Sequence, residues 1–144
     1  MEIIKATIDY RNAVLDLLAT EKLPFKDISE CLEDFLLAID GDKMVGVVGM
    51  ERYGTYGLLR SLVVHPCYRS KCIASLLINN LEEIGNKSGI TIVYLLTETA
   101  AVYFEKRGYK YSFRNEVPDE VQASKEFSSL CPASAVAMHK KLIP

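Results

Sequence analysis

One segment, residues 62–74, places positive side chains where a strand is expected to pass into a helix. It has the sequence LVVHPCYRSKCIA, with Arg69 and Lys71 near its middle. A helix N-terminus presents unpaired backbone N–H groups and the positive end of the helix dipole, which together favour a bound phosphate. The pattern therefore predicts a phosphate or pyrophosphate site. A solvated basic turn is the alternative, because basic pairs are common on protein surfaces.

The composition limits the partners that the rest of the chain could bind. The chain has 144 residues, and its 17 Lys+Arg nearly cancel its 19 Asp+Glu to give a net charge of −2. A nearly neutral chain lacks the broad positive surface that nucleic acid requires. No uncharged apolar run approaches the ~20 residues of a membrane span. We therefore expect a single domain over residues 1–144 that binds neither nucleic acid nor membrane.

The first residues and the cysteines indicate where the protein works. The N-terminal segment lacks the basic region and apolar core of a signal peptide, so a cytoplasmic location is predicted. The four cysteines form no CxxC pair and the two histidines lie far apart, so no metal site is expected. Reduced thiols fit the same compartment.

The apolar periodicity predicts a mixed α/β chain that would position the basic segment. Strands are expected over 2–6, 35–39, 44–50, 58–64, 90–96, 109–113 and 135–142. Helices are expected over 8–20, with Asp9 as N-cap, over 71–87, and over 99–107, closed by Gly108. Short helical turns are expected over 27–34 and 118–124. Residues 40–43, DGDK, predict a hairpin turn, and Gly54 and Gly57 bracket another turn.

Two motifs resemble those of a known family. Residues 63–74, VVHPCYRSKCIA, resemble the acetyl-CoA-binding signature of the GNAT N-acetyltransferases, Arg/Gln-x-x-Gly/Ala-x-Gly/Ala. Residues 94–100, followed by 103–109, YFEKRGY, are similar to the strand and helix in which that family ends with F/Y-E-K-x-G-F/Y. The order of predicted elements also fits the GNAT acyl-CoA N-acyltransferase fold, a central, mixed, mostly antiparallel sheet flanked by helices. The resemblance covers nearly the whole chain.

The resemblance implies an acetyl-CoA-dependent N-acetyltransferase, with acetyl-CoA as co-substrate. The cofactor would lie in a V-shaped gap between the strand ending at Val64 and the strand ending near Thr97. Backbone groups of 62–64 would pair with the pantetheine arm, and N–H groups of 69–75 would hold the pyrophosphate. The residues implied in cofactor binding are Leu62, Val63, Val64, Arg69, Ser70, Lys71, Cys72, Ile73, Ala74, Ser75, Ala100 and Phe104.

The sequence departs from the family pattern at two places. Ser70 and Cys72 stand where members carry glycine, which lets the backbone approach the pyrophosphate in unusual dihedrals. A Cβ at Cys72 is compatible with a negative φ and otherwise weakens cofactor binding. Phe104 stands where many members have a tyrosine that protonates the leaving thiolate. Catalysis would then rest on positioning the amine and on a backbone N–H near Val63 or Val64.

The acceptor amine has to be neutral when it attacks, so a base or a water chain is expected. Glu51, at the end of the third strand, and Glu98, after the strand over 90–96, are the candidates for this catalytic role. For each of them a solvated surface carboxylate is the alternative, because such residues are mostly exposed.

Arg60 interrupts an apolar strand, and with Arg52 it could hold a carboxylate in a guanidinium fork. Residues 59–64, 96–99 and 126–135 resemble the amino-acid N-acetyltransferases linked to arsenic resistance and, more distantly, the catalytic domains of N-acetylglutamate synthase. The implied acceptor is the α-amino group of a small amino acid or analogue, attacked directly in a ternary complex. The residues expected to bind it are Arg52, Arg60 and Ser129.

Two other functions and one assembly stay open at this point. The chain could acetylate a protein N-terminus or lysine, or it could be a catalytically weak acyl-CoA-binding module, since Ser70 and Cys72 replace glycines. An exposed strand edge would also allow a homodimer.

Overall fold

A computed structural model of the protein describes residues 1–23, 25, 28, 34–130 and 134–142, without the side chains of 129 and 130. In chain order the strands are β1 (Glu2–Lys5), β2 (Phe35–Asp40), β3 (Lys43–Tyr53), β4 (Tyr56–Val64), β5 (Ile92–Thr97), β6 (Lys110–Ser112) and β7 (Val136–Lys141). Within the described part of the chain these strands form a seven-stranded sheet in the order β1-β2-β3-β4-β5-β7-β6.

Among the described residues, four α-helices accompany the sheet: α1 (Arg11–Thr20), α2 (Ile73–Lys87), α3 (Ala101–Lys106) and α4 (Asp119–Gln122). Single 3-10 turns precede α1, α2 and α4, over Ile8–Tyr10, Pro66–Tyr68 and Arg114–Glu116, and a π-helical turn, Glu126–Leu130, precedes β7. The longest helix, α2, carries the amphipathic stripe expected from the sequence, with Ile73, Leu77 and Leu81 buried.

The strand pairing is mixed and mostly antiparallel, as predicted. β2 pairs antiparallel with β1 and with β3, and β7 pairs antiparallel with β5 and with β6. β4 pairs parallel with β5, with Tyr56 opposite Ile92 and Leu58 opposite Tyr94. A parallel neighbour requires a crossover, and the segment containing α2 makes it.

The chain forms two compact units, and each has its own apolar core. The first unit comprises Met1–Met50 and Arg60–Ile84. Its core is built from Val14, Leu17, Leu18, Ile28, Phe35, Leu37, Ile39, Val47 and Val63. The second unit comprises Glu51–Leu59 and Gly85–Pro144. Its core is built from Leu58, Tyr94, Val117, Val121 and Ala137. A single domain over 1–144 stays a prediction.

A row of rings lies in the second unit. The Tyr94 ring is 5.9 Å from that of Tyr56 and 6.2 Å from that of His139, centroid to centroid. Tyr94 is 8% exposed. Burial raises the pKa of Tyr94, and the neighbouring Tyr56 acts in the same direction. The phenol therefore stays neutral beyond the pH at which an exposed tyrosine ionises.

Two turns differ from the expectation. Asp9 was predicted as the N-cap of the first helix, and this is wrong: Asp9 lies inside the 3-10 turn Ile8–Tyr10, whose N-cap is the extended Thr7. Gly57 does not bracket the second turn, because it lies within β4. Gly54, with φ +65°, supplies the left-handed residue of that turn.

Other predicted segments are confirmed with shifted bounds. Gly41, with φ +62°, lies in the two-residue turn of the β2–β3 hairpin. Gly108, with φ +96°, ends α3 and donates its N–H to Glu105 O at 3.1 Å. The helical turn expected over 118–124 is α4, and the one expected over 27–34 lies largely outside the described residues.

Candidate functional site

The turn that leads into α2 adopts the backbone conformation of a glycine turn without its glycines. Ser70 has φ +66° and Cys72 has φ +62°. Both values lie in the left-handed region, where a Cβ crowds the following carbonyl. The negative φ that would make Cys72 innocuous is therefore not present. Residue 72 cannot belong to a right-handed helix in this conformation, which is why α2 begins at Ile73 and not at 71.

His65 organises the start of this turn through its hydrogen bonds. Its backbone N–H donates to Val45 O at 2.7 Å, and its side-chain Nδ1 accepts from the backbone N–H of Cys67 at 3.1 Å. Pro66 begins the 3-10 turn, and the N–H of Tyr68 donates to His65 O at 2.8 Å. These bonds fix the backbone that approaches α2.

The first turn of α2 presents donors ahead of its own hydrogen-bond ladder. The N–H of Leu76 donates to Cys72 O at 3.1 Å. The N–H groups of Ile73, Ala74 and Ser75 precede this bond, at the positive end of a 15-residue helix. Ile73 is buried, whereas Ala74 and Ser75 are half-buried. This arrangement can hold an anionic oxygen.

Arg69 is bound through two nitrogens of its guanidinium. Its terminal nitrogen pairs with a carboxylate oxygen of Glu21, at the C-cap of α1. Its Nε donates to Val64 O at 3.4 Å. The Arg69 side chain is 56% exposed, and an exposed ion pair contributes at most about 1 kcal/mol. A phosphate could therefore compete with Glu21 for this guanidinium.

Two lysines from different elements lie over one tyrosine ring, and we call Lys43, Tyr68 and Lys71 the lysine–tyrosine cluster. Lys71 Nζ is 5.3 Å and Lys43 Nζ is 5.5 Å from the centroid of the Tyr68 ring. The Tyr68 hydroxyl donates to Asp40 Oδ2 at 2.9 Å. This hydrogen bond raises the pKa of Tyr68, and burial and the charges of Asp40 and Cys67 act in the same direction.

The end of β4 carries the next set of predicted residues. Val63 and Val64 are buried, and Leu62 is half-buried. Ser61 has φ +59°, so the strand is irregular immediately before them. Arg60 is only 4% exposed, and its Nε donates to Ser61 Oγ at 3.0 Å. A charge this deeply buried must be compensated, so Arg60 does not lie on a solvated face of the strand.

The two candidate bases lie in different surroundings in the second unit. Glu51 is half-buried, and its Oε1 accepts from the hydroxyl of Tyr53 at 2.9 Å. Glu98 is exposed, and its Oε1 accepts from Ser134 Oγ at 3.3 Å. Residues 51 and 53 point to the same face of β3, so Tyr53 holds the carboxylate in place.

Three other predicted residues of the second unit, Arg52, Ala100 and Phe104, contact neighbouring residues of the same unit. Arg52 Nη1 donates to Ser88 Oγ at 2.6 Å. Ala100 donates its N–H to Thr97 Oγ1 at 3.0 Å, where α3 begins. Phe104 is buried, with its ring 5.4 Å from that of Tyr109 and 5.6 Å from that of Tyr103.

Several residues of the site were not predicted from the sequence, and the side chain of one predicted residue lies outside the described part of the chain. Glu21, Lys43 and Tyr53 were not predicted, since each contacts its partner only through tertiary packing or strand geometry. Tyr68 lies inside the recognised motif, and its proximity to two basic residues in the sequence was a usable signal. The side chain of Ser129 lies outside the described part of the chain.

Two kinds of structure are absent from the described residues. No helix among them is both long and apolar enough to cross a membrane. No group of three or more His, Cys, Asp or Glu side chains within the described ranges could hold a metal ion. Cys67 and Cys72 are free and exposed thiols.

Comparison with known proteins gives one family and many structures of the same fold. A family model described as an acetyltransferase (GNAT) domain matches residues 32–111, more than half of the chain. No curated protein matches the chain by sequence.

Among solved structures, N-acetylglutamate synthase from Neisseria gonorrhoeae, in complex with coenzyme A and N-acetyl-glutamate, is similar with a TM-score of 0.83 and 16% identity. The match covers 99% of this chain but only 35% of the synthase chain. Rv2747 from Mycobacterium tuberculosis, in complex with CoA, has a TM-score of 0.84 and 18% identity over 99% of this chain and 100% of its own. An aminoglycoside 6′-N-acetyltransferase with coenzyme A has a TM-score of 0.73 and 21% identity over 100% and 98%.

Proposed function

Because the chain belongs to the GNAT acetyltransferase family, we propose that it moves an acetyl group from acetyl-CoA to the α-amino group of a small amino acid or analogue. The amine nitrogen forms a bond to the thioester carbonyl carbon directly, in a ternary complex, and the C–S bond breaks. The amine proton passes to a base on the protein or to a water chain. The thiolate leaves unprotonated, because a thiol with a pKa near that of cysteine, about 8.5, is an adequate leaving group.

One observation carries the cofactor part of this proposal. The turn over 69–72 has left-handed residues at positions 70 and 72, where the family signature has glycine, so its backbone has the conformation that glycine would supply. The N–H groups of residues 73–75 follow it directly. These groups would hold the pyrophosphate, and the end of β4, Leu62 to Val64, would pair with the pantetheine arm.

Three features support an amino-acid acceptor. Arg60 offers a planar guanidinium at a buried position of β4, which suits a carboxylate. The neighbouring Ser61 fixes its Nε. An N-acetylglutamate synthase has the same fold and holds N-acetyl-glutamate. Arg60 is therefore the first candidate to bind the acceptor carboxylate, and Arg52 and Ser129 stay secondary candidates.

Glu51 is the stronger candidate for the base. Its carboxylate is half-buried and fixed by the Tyr53 hydroxyl, whereas Glu98 is exposed to solvent. A positioned carboxylate can take the amine proton directly or through one water. Phe104 stands where a tyrosine acid would be expected, so no acid is assigned to the leaving thiolate.

The experiment is a thiol-release assay with acetyl-CoA against three sets of acceptors. The sets are free amino acids, peptides with free N-termini or lysines, and amines without a carboxylate, such as aminoglycosides. We expect turnover with amino acids, and a large loss when the acceptor carboxylate is converted to an amide. Turnover restricted to peptides would contradict the proposal in favour of protein acetylation, and binding of acetyl-CoA without turnover would indicate a binding module.

A further inference from the structure

We propose that Lys43 and Lys71, held over the ring of Tyr68, bind the ribose 3′-phosphate of coenzyme A. The inference rests on the proposed use of acetyl-CoA, and it adds a second anion site beside the helix N-terminus. That site would make the protein discriminate between coenzyme A and its 3′-dephosphorylated form.

The geometry brings two cations from distant parts of the sequence to one tyrosine ring. Lys43 is the first residue of β3, and Lys71 lies in the turn before α2. Their Nζ atoms lie 5.5 and 5.3 Å from the same ring centroid. Both side chains are exposed, so a ligand can reach them.

The ring that gathers the lysines is itself fixed. The Tyr68 hydroxyl is bound to Asp40 at 2.9 Å, and the ring lies edge-on to His65 at 6.0 Å between centroids. Asp40 is therefore held at the hydroxyl end of the ring, while the ammonium groups lie over the ring. Such prior fixing reduces the entropy lost when a ligand binds.

The ammonium groups of the two lysines are available to a ligand. Among the residues that the structure describes, no carboxylate pairs with the ammonium group of Lys43 or Lys71. Arg69, by contrast, is already bound to Glu21 and to Val64 O. Ammonium groups act as compact point charges without the planar preference of arginine. They suit the oxygens of a terminal phosphate monoester.

The position of the cluster separates it from the pyrophosphate. The backbone donors that would take the pyrophosphate belong to residues 73–75, in the first turn of α2. The cluster is centred on Tyr68, in the preceding 3-10 turn, and draws one lysine from a hairpin. Coenzyme A carries two anionic groups, a diphosphate and a 3′-monophosphate, joined through one ribose. The two neighbouring cationic features of the protein match this pair.

The test measures the dissociation constants of coenzyme A and 3′-dephospho-coenzyme A by calorimetry, in wild type and in variants. The variants are Lys43→Gln, Lys71→Gln and the double variant, with Lys5→Gln, an exposed lysine of β1, as the matched control. We expect wild type to bind coenzyme A about five- to tenfold more tightly than the dephosphorylated form, since each exposed ion pair contributes up to about 1 kcal/mol. The preference should shrink at high salt.

The double variant should lose this preference while its affinity for 3′-dephospho-coenzyme A stays at the wild-type value, and Lys5→Gln should keep it. Equal affinity of wild type for both ligands overturns the 3′-phosphate site but leaves the proposed function standing. An equal loss of affinity for both ligands in the lysine variants also overturns the 3′-phosphate site, because the lysines would then bind the pyrophosphate. If wild type binds neither ligand nor acetyl-CoA, the proposed function itself fails.

Discussion

The backbone conformation of Ser70 and Cys72 determines how the N-terminus of α2 can bind an anion. Ser70 and Cys72 adopt the left-handed φ that glycine adopts without steric cost. For residues with a Cβ this conformation costs roughly 1–2 kcal/mol each. The surrounding hydrogen bonds of His65 and Tyr68 must hold the turn against that cost. The sequence identified the two positions as departures, but the sign of φ depends on these contacts.

Replacing Cys72 by glycine should therefore relieve strain. We expect Cys72→Gly to raise the free energy of unfolding by up to about 1 kcal/mol, because part of the gain is offset by the greater entropy of glycine in the unfolded chain. Acetyl-CoA should also bind more tightly, as measured by calorimetry. Cys72→Ala is the matched control, since it removes the thiol and keeps the Cβ. Equal behaviour of the two variants would show that strain at this residue is not the cause.

Replacing Glu51 tests the assignment of the base. We expect Glu51→Gln to lower kcat/KM by about 10²–10⁴-fold, because the carboxylate is the proton acceptor. Glu98→Gln serves as the control and should leave kcat/KM nearly unchanged. A loss of kcat/KM in Glu98→Gln alone would reverse the assignment.

The hairpin of β2 and β3 shows how an element depends on one small residue. Phe35 pairs with Gly49 across the two strands. A Cβ built on Gly49 would lie 2.5–2.7 Å from three carbons of the buried Phe35 ring. The glycine therefore makes room for an aromatic side chain in the core of the first unit.

We expect Gly49→Ala to lower the free energy of unfolding by about 1–3 kcal/mol, because the ring has to move within a packed core. Gly46→Ala is the control. Its Cβ would lie 3.1 Å from the flexible end of Leu77, and its loss should be smaller. Denaturant unfolding of both variants provides the comparison. Adding Phe35→Leu to the Gly49→Ala variant should recover part of its lost free energy of unfolding. The same addition should not recover the loss caused by Gly46→Ala.

Element types followed from sequence more readily than the contacts that build the site. The hairpin at 40–43, the amphipathic stripe of α2 and the glycine after α3 each leave a local pattern, and each was predicted. The pairing of Arg69 with Glu21, 48 residues apart, leaves none. The contact of Lys43 with Tyr68 likewise depends on how the β2–β3 hairpin packs against the 3-10 turn before α2.

For the whole molecule, burial of a phenol predicts how stability depends on pH. The unfolded state ionises Tyr94 near its ordinary value of 10.0, and the folded state does so at higher pH because burial raises its pKa. Between the two values the unfolded state binds fewer protons, so the free energy of unfolding falls as pH rises above about 10. Tyr94→Phe should flatten part of this fall in denaturant titrations from pH 8 to about 11. An unchanged slope would contradict it.

Because the net charge of the whole chain is only −2, anion binding depends on local groups of positive charge. The cations near α2 lie within one compact unit, and their effect on phosphate should weaken beyond a Debye length of about 8–10 Å at ordinary salt. The cytoplasmic location and the homodimer stay predictions from sequence. Sedimentation of the full chain at several concentrations would test the dimer.

The left-handed cysteine also has a consequence at the level of the gene. Every cysteine codon becomes a glycine codon by a single-base change, so Cys72→Gly is readily reached by random mutation. If acetylation is rate-limiting for growth and the strain at this residue weakens cofactor binding, selection from a random library should recover glycine there repeatedly. Its absence among survivors would indicate that the natural residue is retained for a reason other than mutational distance.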